Sequence, residues 1–191
     1  MEQIKEMTAQ ESLQLIRETM NNSRKAILRN SAKYFMLWGV LLFVTSLVIY
    51  LLWHATGKPQ WNFLWFVMPA IGYPLAGLMR RNNVAVPQSE ISKMLSQVWS
   101  VFGAFSVTLS VIAICLVPMN VSLIIVVLMG LAECISGTIL RNWPIIVGGF
   151  LLGVGGAVIA MLVKSEAQLL IFTLGGILLA LTGIIMRIQN K

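Results

Sequence analysis

The chain has 191 residues, of which 58% are hydrophobic and 11% charged, and it carries a net charge of +7. Soluble domains carry about 25% charged residues, so this composition cannot build a polar surface and excludes an ordinary water-soluble fold. One histidine, two cysteines and no aspartate leave too few ligands for a metal site, no cofactor motif is present, and basic residues clustered between apolar stretches suit anionic headgroups rather than nucleic acid.

The first 33 residues mix charges and are too polar for a signal peptide. Thr8 followed by Glu11 fits a capping box that opens a helix. On that helix Leu13, Ile16, Met20 and Ile27 fall on one face, and Gln14, Glu18, Lys25 and Arg29 on another. Arg24, Lys25, Arg29 and Lys33 gather toward the membrane end, where each basic residue contributes about 1 kcal/mol of attraction to anionic lipid. Three roles are open to such a segment: it lies on the inner leaflet, it packs under the bundle, or it docks a cytoplasmic protein partner.

Spanning about 30 Å of hydrocarbon takes about 20 apolar residues. Six runs meet that length: 34–53, 61–79, 98–117, 121–140, 143–163 and 169–186. Their continuous apolarity fits helices and not the alternating strands of a barrel. The expected fold is therefore an all-α bundle of six transmembrane helices over 34–187, preceded by an amphipathic cytoplasmic helix and followed by a short tail, 188–191. With the N-terminus inside, twelve Lys and Arg residues fall on the cytoplasmic side and two, Lys58 and Lys164, outside. Both termini are thus expected in the cytoplasm, and Trp38, Trp53, Trp61, Trp99 and Trp143 near run ends fit the interfacial belt. The joints at 118–120 and 141–142 are too short for anything but antiparallel neighbours.

Within the runs, Glu133 is the single charged residue. It stands seven residues from the cytoplasmic end of the fourth run, about 10 Å deep. An acidic side chain at a helix centre costs about 2.5–3.5 kcal/mol to insert, so it turns inward. Glu133 with Ser136 is the candidate proton or cation site, and a protonated carboxyl bridging two helices is the competing reading. Pro69 and Pro74 are candidate kinks in the second helix, since an interior proline frees a carbonyl one turn back. Gly149, Gly153 and Ala157 in the fifth helix, and Gly176, Ala180 and Gly183 in the sixth, form small-residue ladders for close packing, within one chain or across a homo-oligomer seam. Gly148-Gly149-Phe150-Leu151-Leu152 recurs as Gly175-Gly176-Ile177-Leu178-Leu179. Transporters use such repeats, and apolar helices also resemble one another by composition.

No His-Glu-x-x-His, Gly-x-Ser-x-Gly or aspartate pair is present, and enzymatic activity is not expected. The segments Tyr34-Phe35-Met36-Leu37-Trp38-Gly39, Met68-Pro69-Ala70-Ile71-Gly72-Tyr73-Pro74, Val98-Trp99-Ser100-Val101-Phe102-Gly103 and Pro144-Ile145-Ile146-Val147-Gly148-Gly149, with Glu11-Ser12-Leu13 and Ile135-Ser136-Gly137, give the chain a further character. With them it resembles an uncharacterised family of short bacterial six-span membrane proteins, operon partners of winged-helix regulators. The resemblance implies a bacterial inner-membrane protein with a sensing or accessory role. The alternative from the residues alone is a small transporter or channel in which Glu133 binds a proton or cation.

Overall fold

The computed structural model describes residues 9–81, 90–117 and 119–189, and among them there is helix and no strand. Helix α1 runs unbroken over Ala9–Thr56, 48 residues or about 72 Å. It joins the expected amphipathic segment and the first span into one rod, because no proline or helix-ending glycine stands between them. Thr8 of the expected capping box lies outside the described residues. Gly57, with φ +68°, ends α1, and its N–H bonds the Trp53 carbonyl at 2.7 Å. This left-handed turn suits a residue without a Cβ.

Proline at its start then opens a 3-10 segment, Pro59–Phe66, which leads into α2, Val67–Arg81. Pro69 falls in the first turn of α2, where its missing N–H interrupts little, while Pro74 is interior. Helix α3 covers Glu90–Cys115, and α4 covers Val121–Leu140 with the Asn120 side chain accepting the Leu123 N–H. Arg141 closes α4 in the left-handed conformation, φ 49°, with its N–H on the Gly137 and Thr138 carbonyls. The Asn142 N–H also bonds the Gly137 carbonyl, at 2.9 Å. That tight reversal sets α5, Trp143–Phe150, antiparallel to α4. A π-helical turn, Leu151–Gly155, joins α5 to α6, Gly156–Leu162, so the fifth crossing is a helix with a bulge at its centre. Helix α7, Leu169–Gln189, completes the chain.

Six helical crossings among the described residues are long and apolar enough to span a bilayer. The chain is an all-α, multi-pass integral membrane protein. Two glycine-lined seams hold its core. In the first, α1 lies along α7. A methyl on Gly39 would stand 2.5 Å from the Ala180 nitrogen and 2.8 Å from the Gly176 carbonyl, and one on Gly176 would stand 2.5 Å from the Phe43 nitrogen. Gly183 meets the Ala32 carbonyl in the same way. In the second, α4 lies along α5, the π turn and α6, with Gly130 against Gly149 and Gly153 and with Gly149 against Cys134. Lipid tails are as apolar as leucine, so the hydrophobic effect does not drive these helices together; close backbone approach does, through dispersion. Of the two glycine pairs of the sequence repeat, Gly149 and Gly176 each stand in one seam, while Gly175 packs on Leu152 and Met129. Ala157 packs in the buried cluster that contains Leu42, Val126 and Leu152.

Helices α2 and α3 are peripheral. Helix α2 leans on α1 and α3 on α4, and no seam of comparable extent joins α2 to α3.

Candidate functional site

Glu133 lies on the buried face of α4 between Gly130 and Gly137. The glycines bring α5 close enough to seal the carboxyl from every side, and its exposure is 0%. Oε1 sits against Gly148, whose added Cβ would lie 3.1 Å from it and 3.3 Å from the Thr182 methyl of α7. The Thr182 hydroxyl turns away and donates to the Leu179 carbonyl at 2.7 Å. Ser136, one turn along, is equally buried and donates to the Ala132 carbonyl at 2.7 Å. Neither hydroxyl reaches the carboxyl, and both Glu133 oxygens lack a hydrogen-bond partner among the described residues.

An orphaned buried polar atom costs about 1–3 kcal/mol, so this acid lowers the stability of the bundle and gains no bond in return. The bulged turn Leu151–Gly155 starts three residues beyond Gly148 and places Gly153 on Gly130. A π-bulge loosens the carbonyl ladder of its helix and is frequent at functional sites. Glu133 and the bulge therefore lie about one turn apart along one seam, Glu133 against Gly148 and Gly153 against Gly130. The cysteine beside it, Cys134, directs its thiol at the Ile146 carbonyl, 3.4 Å away.

The other features expected from sequence lie elsewhere. Pro69 and Pro74 both line a cavity. Among the basic residues near the membrane entry of α1, Lys25 and Arg29 are exposed and Lys33 is half-buried, and the side chain of Arg24 lies outside the described residues. Along α1 from Gln10 to Thr19 every side chain but half-buried Ser12 is exposed. Leu13, Leu15 and Ile16 are 54–60% exposed, so three large apolar groups stand free of the bundle.

The cavity has a volume of about 2450 Å³ and lies between α2 and α3 on one side and α1, α4 and α7 on the other. Glu133 does not line it.

No family model, curated protein or solved structure matches this chain.

Two further polar contacts were invisible in the sequence. Ser46 of α1 and Thr173 of α7 share a buried hydrogen bond of 3.0 Å, and Gln168 donates to the Ala160 carbonyl at 2.7 Å. Serine and threonine are common in apolar helices, and nothing in their spacing tells which two will meet. Gly130 and Gly137 flank Glu133 on one face, and that spacing points to a close neighbour; Gly39 has no second glycine on α1 to mark it, and its partner is on α7.

Proposed function

We propose that this protein is a non-enzymatic accessory or sensory component of a bacterial inner membrane, with the free portion of α1 as its contact to a cytoplasmic protein. The observation that carries the reading is the continuity of α1. A rod that crosses the membrane without a break cannot also turn to lie flat on the leaflet. Its first turns therefore project from the bundle with Leu13, Leu15 and Ile16 uncovered. Exposed apolar side chains on a polar helix are the usual anchors of helix-in-groove recognition. A movement transmitted along α1 reaches α7 directly, since the glycine seam joins them between Ala32 and Phe43 of α1. The twelve-to-two distribution of basic residues supports a cytoplasmic position for this extension.

The test uses photo-crosslinkers at Leu13 and Ile16 in full-length protein in native membranes. A discrete adduct with one protein, lost in Leu13→Lys/Ile16→Lys while the bundle retains its thermal stability, is the expected result. Absence of an adduct at both positions overturns the partner contact.

A second reading is kept for one observation, the fully buried Glu133 with two orphaned oxygens beside a π-bulge. In it the carboxyl takes up a proton or cation when the α4–α5 seam opens. Proteoliposomes decide it: a cation or proton flux that disappears in Glu133→Gln supports transport, and no flux from the parent protein removes it.

A further inference from the structure

The cavity between the peripheral and central helices has walls of two characters. Its body is aromatic: Trp38, Trp65, Tyr73, Trp99, Phe102 and Phe172 line it. Several of these rings meet edge to face, Trp65 with Phe172 at 5.4 Å and Trp99 with Phe102 at 5.7 Å, which fixes a rigid apolar surface. Along α3 the wall is polar at the helical period, through Ser92, Ser96, Ser100, Ser106 and Ser110. Ser106 Oγ is buried and has no partner among the described residues. The two ends differ in charge. Arg81, at the end of α2, and Lys93, in the first turn of α3, line the end where the chain enters the bundle through Asn30. The opposite end is lined by Asn120, Ser165 and Gln168. No acidic residue lines the cavity among the described residues.

We propose that this cavity is a binding site for one anionic glycerophospholipid, with the phosphate held by Arg81 and Lys93 and an acyl chain lying along the aromatic wall. Charge complementarity selects the headgroup: two cations line one end, and no carboxylate lines the wall among the described residues, so an anion is drawn to that end. Shape selects the chain. The volume is well above the roughly 300–1,000 Å³ of small-molecule sites, and the absence of a seam between α2 and α3 leaves the flank open to the bilayer. A ligand that arrives from the membrane plane enters without crossing water. Of the serines on this wall, Ser106, whose Oγ has no partner among the described residues, is placed to donate to an ester or glycerol oxygen below the phosphate. The basic end is also the side that the positive-inside count assigns to the cytoplasm, whose leaflet is the anionic one. These residues are distinct from Lys25, Arg29 and Lys33 at the entry of α1, and the site is independent of the partner reading above.

The test is native mass spectrometry of the full-length protein in detergent, titrated with phosphatidylglycerol and phosphatidylcholine. It is paired with quenching of tryptophan fluorescence by the same lipids carrying brominated chains. The expected result is one retained phosphatidylglycerol and quenching that saturates with it. Arg81→Gln/Lys93→Gln should lose affinity by about tenfold or more while Arg187→Gln, a basic residue outside the cavity, keeps it. Equal retention of phosphatidylcholine, an equal loss in Arg187→Gln, or saturation without quenching each overturns the site. Displacement of the lipid by inorganic phosphate alone shows a simple anion site and also overturns it. A stable dimer that binds no lipid would assign the groove to a second copy of the chain. If the double variant loses thermal stability, Arg81→Lys decides: it keeps the cation and must keep the preference.

Discussion

The two halves of this bundle are built on opposite terms. In the half formed by α1, α7, α4 and the α5–α6 crossing, backbones touch through glycine, and α4 and α7 bury about half of their apolar windows, 44% and 56%. In the half formed by α2 and α3 those windows are 6% and 0% buried, and a cavity lies between these helices and the central ones. The hydropathy of α3 is close to that of α4, 2.0 against 2.3. Apolarity therefore inserts a helix and does not decide what it packs on. Small residues facing backbone make a seam; large aromatic residues facing each other prop the helices apart and leave a space that lipid can fill.

The largest expected effects come from closing the seams. Gly39→Ala and Gly176→Ala each set a methyl against backbone atoms at 2.5 Å. Neither backbone can retreat without separating α1 from α7. Each should lower stability by about 1–3 kcal/mol, the usual range for overpacking, with Gly176→Val worse, measured as the shift in thermal unfolding in detergent. An unchanged unfolding temperature would dissolve the distinction between the two halves.

Glu133 gives the next effect, of opposite sign. Its oxygens have no partner, so Glu133→Leu should raise stability, by up to the ~1–3 kcal/mol cost of an orphaned polar group. Glu133→Gln should stay near the parent. A marked loss in Glu133→Leu would mean that the carboxyl bonds a neighbour, and would make it part of the seam.

Smaller is the effect of Ser46→Ala, which removes the bond to Thr173. Interhelical hydrogen bonds in membranes average about 0.6 kcal/mol, and the same loss should appear in Thr173→Val with no further loss in the double variant.

The smallest is Gly77→Ala on α2, where an added methyl meets nothing within 4 Å among the described residues. Here the helical preference of alanine prevails, and stability should rise by a few tenths of a kcal/mol. A drop as large as that of Gly39→Ala would show α2 packed as tightly as α1.

The sequence by itself determined the number of crossings. The expected span 121–140 is α4 as found, because Asn120 and Arg141 end it with local capping that needs no neighbour. It also determined that Glu133 turns inward, since a carboxyl cannot face hydrocarbon. Tertiary structure alone decided that α1 pairs with α7 and α4 with α5, that Glu133 meets Gly148 without a bond, and that a cavity separates α2 and α3 from the rest. The reason is physical. Insertion depends on apolarity summed along one segment, which the chain order carries. Pairing in lipid depends on whether Gly39 and Gly176, 137 residues apart in sequence, present bare backbone to each other at the same depth. All sides of an apolar helix look alike until that partner is in place.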